Sequence, residues 1–120
     1  MNLFRHGYNI TLNRIKDKVR VTEGKESLLL TVMVDPMRIV SGLNKVQIKL
    51  QSLTQDGKKP SEEELQEAAK FFASVMFGTE QAEQLMEFYD NSAQDVVSVC
   101  GTYFKERLAK KITKAQKKHG

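Results

Sequence analysis

Residues 27–36 read SLLLTVMVDP, and the change of pattern inside this stretch decides the fold class. The run up to Val34 is β-branched and apolar on both faces, which predicts a strand that is well covered. Asp35 and Pro36 then predict a helix start, because Asp is a good N-cap and Pro fits the first helical position. A strand region therefore precedes this point, and a helical region follows it.

The residues before this stretch also have the period of strands. In YNITLNRI (8–15) the apolar residues alternate with polar ones, and KVRVT (18–22) continues the alternation. The polar segment TEGKES then predicts a turn. Residues 8–34 are therefore predicted to form a three-stranded antiparallel meander or, alternatively, a long hairpin with a kink near Lys16 and Asp17.

The pattern after Asp35 is that of an amphipathic helix. Apolar residues recur at spacings of four, three, four and three from Ile39 to Leu53, which predicts a helix over 36–53. Gly42 opposes this prediction, because glycine costs about 1 kcal/mol inside a helix. The competing interpretation is a strand at 44–51, where apolar and polar residues alternate.

Residues 61–118 carry the signals of further helices. Three apolar-periodic segments follow N-cap residues, which are Ser61, Thr79 and Ser92. Ser61 also has Glu64 three residues later, which is the pattern of a capping box. Gly78 is typical of a helix end.

The last predicted helix extends into the basic C-terminus. Its apolar stripe consists of Val97, Cys100, Phe104, Leu108, Ile112 and Ala115. A disordered basic arm has no reason to keep such a stripe in phase, so a packed helix is predicted here. The expected fold is one α+β domain over 1–120, an N-terminal β-meander or hairpin followed by three to four helices, the last long and basic.

Charge is segregated along the chain. Residues 1–60 carry a net charge of +6, residues 61–95 carry −8, and residues 96–120 carry +6. The acidic block disfavours a dedicated nucleic-acid binder, because it repels phosphate. Protein partners are favoured, and the opposed blocks would neutralise one another within the fold or between copies.

The chain lacks the residues that common catalytic and metal sites need. It has two histidines at opposite ends, one cysteine, and no glycine-rich phosphate-binding motif. The absence of a long apolar run argues against a membrane span, and the single Cys100 is typical of a reducing compartment. We therefore expect a cytoplasmic protein that is not an enzyme and needs no cofactor or metal.

Eight side chains are candidate partner contacts: Phe71, Phe77, Phe88, Lys110, Lys111, Lys114, Lys117 and Lys118. Core packing is the simpler explanation of the three aromatic residues. The lysines fit a solvated helix face, an acidic protein partner or second copy, or nucleic acid. The sequence leaves these alternatives open.

The stretch FFASVMFGTEQAEQLMEFYDNSAQDVVSVCGTYFKERLAKKITKAQKK (71–118) resembles the C-terminal part of small prophage proteins of Gram-positive bacteria. These belong to the tail assembly chaperone group of long-tailed phages. The resemblance is carried by an aromatic-rich helix ending in Phe77-Gly78, by EQAEQLMEFY (80–89) and by YFKERLAKKITKAQKK (103–118).

The resemblance implies a homo-oligomer of the host bacterial cytoplasm that binds tape measure or tail tube protein without catalysis. Apolar grooves between the helices of 61–118 would take an amphipathic partner helix. An open edge strand in the N-terminal sheet would give a second route to self-association. The alternatives are a structural tail or head–tail connector component, and a nucleic-acid-binding module that uses the basic C-terminal helix.

Overall fold

The computed structural model describes residues 10 and 12–119, apart from the side chains of 118 and 119. It has two strands, β1 (Ile15–Glu23) and β2 (Glu26–Val34), and then helices α1 (Pro36–Leu53), α2 (Glu62–Phe77) and α3 (Thr79–Phe88). A short 3₁₀ turn (Gln55–Gly57) follows α1, and the C-terminal part consists of α4 (Ala93–Tyr103), a π-helical turn (Phe104–Leu108) and α5 (Ala109–His119). The backbone stays helical across both junctions, so these last three segments form one C-terminal helix. The α+β prediction is confirmed: a hairpin precedes four helices.

The two strands form an antiparallel hairpin that pairs Ile15 with Val34 and Glu23 with Glu26. The hairpin alternative is therefore confirmed. The additional strand of the meander is not observed at residues 10 and 12–14, and residues 8, 9 and 11 lie outside the described residues. The register is continuous through Lys16 and Asp17, so the kink expected there is also not observed.

Helix α1 begins as the sequence predicts, because the Asp35 carboxylate accepts a hydrogen bond from the Met37 N–H at 2.9 Å. The strand alternative at 44–51 is wrong. Gly42 has a packing role in this helix. A Cβ atom at this position would lie 2.7 Å from Cγ1 of Val75 on α2, so the missing side chain lets α1 and α2 approach closely.

Capping residues define α2, α3 and the C-terminal helix. The capping box is confirmed, since Glu64 N–H donates to Ser61 Oγ at 3.1 Å and Ser61 N–H donates to Glu64 Oε1 at 3.0 Å. Gly78 ends α2 with φ of 86° and also precedes α3 as its N-cap. The prediction of Thr79 as that N-cap is wrong, because Thr79 is already the first residue of α3. Ser92 caps the C-terminal helix as expected.

The helices cover one face of the hairpin. On this face Leu30 and Val32 of β2 are completely buried. On the other face Leu29 and Met33 are 52% and 56% exposed. The prediction that β2 is covered on both faces is therefore wrong, and the hairpin presents apolar side chains on its outer face.

The C-terminal helix runs back along β1. Ser98 and Val99 lie beside the turn end of β1, whereas Lys111 and Ala115 lie beside residues 12–16 at its open end. Leu108 is fully buried and Ile112 is 7% exposed. The basic terminus is thus a packed helix up to these residues, as the apolar stripe predicts.

Candidate interaction surfaces

A clasp of polar side chains joins β1 to the C-terminal helix. The Arg107 guanidinium donates from Nη2 to Asp17 Oδ1 at 2.8 Å and from Nε to Oδ2 at 3.0 Å. The Tyr103 hydroxyl donates to Asp17 Oδ2 at 3.0 Å. The Asp17 side chain is only 8% exposed, so this bidentate pair is largely shielded from water.

The clasp holds Asp17 in its charged form. Burial by itself raises the pKa of Asp17, but hydrogen bonds from Lys18 N–H and the Tyr103 hydroxyl, with the charges of Arg107 and Lys111, lower it below its ordinary value. Burial, followed by the hydrogen bond to Asp17, raises the pKa of Tyr103. The phenol therefore stays protonated and remains a donor to the carboxylate.

The clasp coincides with the π-helical turn, where the Ala109 N–H donates to the Phe104 carbonyl oxygen. The turn inserts one residue into the helical period. The buried residues of the C-terminal helix are accordingly Val96, Cys100, Tyr103, Leu108 and Ile112, with a step of five across the turn. The predicted stripe is wrong at two positions. Val97 and Phe104 are only half-buried, and the neighbouring residues Val96 and Tyr103 lie in the core instead.

A basic cleft lies between the open end of β1 and α5. We use this name for the groove of about 400 Å³ whose basic lining residues are Arg14, Lys16, Lys111 and Lys114. No acidic residue of the described chain lines it. Asp17 is next to Lys16 in sequence, but its carboxylate is bound to Arg107. The cleft therefore carries four positive charges without a carboxylate in its wall.

An acidic groove lies between α2 and α3. It encloses about 540 Å³, and its acidic lining residues are Glu63, Glu67, Glu83, Glu87 and Asp90. Lys70 also lines it and forms an ion pair with Glu83, with 3.4 Å between Nζ and Oε1. The resemblance implies apolar grooves between the helices of 61–118. Five of the nine residues that line this groove are acidic.

The outer face of the hairpin combines basic and apolar side chains. Across this face Lys16 pairs with Met33, Lys18 with Thr31, and Arg20 with Leu29. All six residues are exposed. We call this six-residue surface the outer face; it has a basic column on β1 and apolar side chains on β2.

The candidate partner contacts divide into buried and accessible groups. Phe77 is 5% exposed and its ring lies 5.8 Å from that of Tyr103, so it belongs to the core and offers no surface to a partner. Phe71 and Phe88 are half-buried, and Phe88 meets Tyr89 edge-on at 5.1 Å. Of the lysines, Lys110, Lys114 and Lys117 are exposed and Lys111 is half-buried, whereas the Lys118 side chain lies outside the described residues.

No family model, curated protein or solved structure matches this chain. Within the described residues, no group of three or more His, Cys, Asp and Glu side chains is placed to hold a metal ion. Burial raises the pKa of the Cys100 thiol to about 12, so this thiol is protonated at neutral pH.

Side chains bind outward backbone groups at the centre of both edges of the hairpin. The Thr31 N–H donates to Gln81 Oε1 at 2.7 Å, and Gln81 Nε2 donates to the Thr31 carbonyl at 2.7 Å. The side-chain amide thus pairs with β2 as the backbone of a neighbouring strand would. On the other edge the Lys18 N–H donates to Asp17 Oδ1 at 2.9 Å. Because Lys18 and Thr31 are opposite each other, the outward N–H groups of both strands are hydrogen-bonded at this level of the sheet.

No helix in the described parts of the chain combines the length and the apolar character that crossing a membrane requires.

Proposed function

We propose that this protein is a non-enzymatic morphogenesis factor of phage tails, of the tail assembly chaperone kind. In this role it self-associates and binds tape measure or tail tube protein in the cytoplasm of the host bacterium. The resemblance of residues 71–118 gives the biological setting. The observation that carries the proposal is the outer face of the hairpin, which exposes apolar side chains beside a basic column.

The outer face suits an amphipathic helix with an acidic flank. Leu29 and Met33 are four residues apart on one strand face, which separates them by about 13 Å. The apolar stripe of a helix two to three turns long covers a similar distance. The basic column of Lys16, Lys18 and Arg20 runs beside them and would meet carboxylates at the edge of that stripe. A long helical protein such as the tape measure supplies segments of this type.

The hairpin is held in place for such a role. The Asp17–Arg107 pair fixes β1 to the C-terminal helix, and Gln81 fixes β2 to α3. A rigid surface loses less conformational entropy when it binds, which favours affinity. The helical part of the chain therefore supports the hairpin, and the partner contacts the hairpin directly.

Co-expression with the tape measure protein of the same prophage tests the proposal. The tagged wild-type chain is expected to capture the tape measure protein at low salt. The variant Leu29→Ser/Met33→Ser should lose most of this capture, because it removes the exposed apolar side chains from the outer face. Met37→Ser/Ile48→Ser is the matched control, since these α1 residues are 74% and 65% exposed but lie outside this face.

Two results would contradict the proposal. One is a wild-type chain that captures neither tape measure nor tail tube protein at low salt. The other is a stoichiometric amount of the protein in purified phage particles, which would identify a structural tail or connector component, because a chaperone leaves the finished particle.

A further inference from the structure

The opposed charge blocks are not joined by close ion pairs in the part of the chain that the structure describes, although Lys58 and Lys49 act on Glu64 from a longer distance. The ion pair Lys70–Glu83 lies within the acidic block 61–95. The pair Arg107–Asp17 joins residues that both belong to the basic parts of the chain. Among the residues that the structure describes, no ion pair within 4 Å connects the acidic block to either basic part.

The two charged surfaces are also far apart in the molecule. The acidic groove ends at Asp90 and Asn91, just before the first residue of the C-terminal helix. The basic cleft is formed near the other end of that helix, at Lys111 and Lys114. A helix rises about 27 Å over the eighteen residues from 93 to 111. This is more than three Debye lengths of about 8 Å at physiological ionic strength, so the two surfaces barely influence each other within one copy.

We propose that the basic cleft binds the acidic groove of a second copy of this chain. This deepens the proposed function and rests on its self-association, for which it names both contacting surfaces. The four basic residues of the cleft face no acidic residue in its wall. The acidic groove has five acidic residues and one lysine, so its net charge is −4. This charge matches the +4 of the basic cleft.

The contact is head-to-tail, because the two surfaces are different. In a dimer, one copy therefore keeps a free cleft and the other keeps a free groove. Further copies add at these two ends until a ring closes or an open filament forms. Charge complementarity of this type mainly speeds association and fixes orientation, and it is weakened by salt. Assembly that grows at low salt and reverses at high salt is the expected behaviour.

Three double variants test this contact by sedimentation velocity. Lys111→Glu/Lys114→Glu brings the charge of the cleft from +4 to zero, and Glu67→Lys/Glu87→Lys brings that of the groove from −4 to zero. Lys25→Glu/Lys45→Glu is a control with the same charge change as the cleft variant. The wild type and the control should form assemblies at about 0.1 M salt and dissociate at about 1 M, where the Debye length falls to about 3 Å. The cleft variant alone and the groove variant alone should each remain monomeric.

Mixing the cleft variant with the groove variant is the decisive step. Each retains the surface that the other has lost, so an equimolar mixture should give a dimer of one copy of each. Lys114→Glu alone, at an exposed position, should weaken wild-type association by about tenfold and serves if the double variant does not fold. Circular dichroism checks the fold of every variant.

Several results would overturn the inference. The inference is wrong if the wild type stays monomeric at about 0.1 M salt. It is also wrong if the mixture of the cleft variant and the groove variant forms no dimer. A monomeric wild type that binds duplex DNA with a steep salt dependence would assign the cleft to phosphate instead.

Capture of the tape measure protein is measured on the same samples. Capture without self-association overturns this inference and the self-association on which it rests, but leaves the proposed partner standing. Self-association without capture overturns the proposed partner alone.

Discussion

The Asp17 carboxylate of β1 is bound in bidentate fashion by Arg107, which lies ninety residues later on the C-terminal helix. This pair is where the basic terminus is attached to the hairpin. Its position beside the π-helical turn means that the helix and the strand are fixed at the point where the helical period changes. The orientation of Lys111 and Lys114 toward β1 depends on this attachment.

Removing Arg107 should therefore destabilise the fold. Arg107→Met leaves the Asp17 carboxylate shielded with only neutral donors, and we expect a loss of about 1–2 kcal/mol in the free energy of unfolding. The Arg107 side chain is 57% exposed, which keeps the loss below that of a fully buried pair. Urea denaturation measures it. Arg20→Met on the outer face is the control and should change stability little; an equal loss in both variants would contradict a role for the clasp.

The pH dependence of stability should contain a contribution from Asp17. Its pKa in the folded protein is below the ordinary value, so its charged form stabilises the fold. This stability is fully present above the ordinary Asp pKa of about 3.9 and is lost as the pH falls through the lower pKa of the folded protein. Urea denaturation from pH 6 downward should show the wild type's advantage over Asp17→Asn shrinking only in this acidic range.

The lowered pKa of Glu64 does not affect the comparison between the wild type and Asp17→Asn. The pKa of Glu64 is also lowered, chiefly by its hydrogen bond from the Ser61 backbone, but this contribution is common to both proteins and cancels. Tyr103 keeps its proton over this range, because burial and its hydrogen bond to Asp17 raise its pKa. An advantage that stayed constant down to about pH 2 would show that Asp17 does not act through its charge.

Gly42 should resist substitution even by alanine, although alanine is the better helix former. The intrinsic preference favours alanine by about 1 kcal/mol, but the new Cβ would meet Val75 Cγ1 at 2.7 Å. A valine side chain cannot bend away, so Gly42→Ala should cost about 1–2 kcal/mol net through forced separation of α1 and α2. Thermal or urea unfolding measures the difference.

Gly101 provides the matched control for Gly42. It lies in the C-terminal helix, and a Cβ there would meet nothing within 4 Å. Gly101→Ala should therefore stabilise the protein by about 0.5–1 kcal/mol. Adding Val75→Ala to Gly42→Ala should recover part of the lost stability, and strictly additive effects in the pair would show that these residues do not collide.

The sequence predicts the elements of this fold better than its surfaces. Asp35, the Ser61–Glu64 pair and Ser92 mark helix starts through local hydrogen bonds, so their positions can be read from the chain. The coverage of β2 cannot be read from β2 alone. The clue is in its partner strand, where the exposed Lys16, Lys18 and Arg20 show that one face of the hairpin meets water.

The π-helical turn also has a sequence signal that is easy to miss. The apolar stripe has three successive spacings of four between Cys100 and Ile112, which exceeds the α-helical period of 3.6 residues. One extra residue in the helix accommodates such a drift. The clasp has no comparable signal, because the partners of Asp17 are brought to it only by the return of the C-terminal helix along β1.

Gln81 should protect the edge of β2 from pairing with another strand. Its amide binds both the N–H and the carbonyl of Thr31, and its Nε2 also donates to the Phe77 carbonyl at 2.7 Å. Gln81→Ala removes all three bonds and leaves the Thr31 backbone open to another strand. The Thr31 amide should then exchange its hydrogen about tenfold faster or more, as judged by NMR, since breaking a bond of about 1–2 kcal/mol raises the open population by that factor.

Gln84→Ala on the exposed side of α3 is the matched control and should leave Thr31 exchange unchanged. Gln81→Ala should also aggregate, because its exposed β2 edge can pair with the strand of another molecule. This aggregation should persist at salt concentrations that dissociate the head-to-tail assemblies, because backbone pairing does not depend on charge. Unaltered exchange at Thr31 would mean that the edge is protected by something other than Gln81. The two modes of association are thereby separated: one depends on opposed charges at the ends of the molecule, and the other is suppressed by a single side-chain amide.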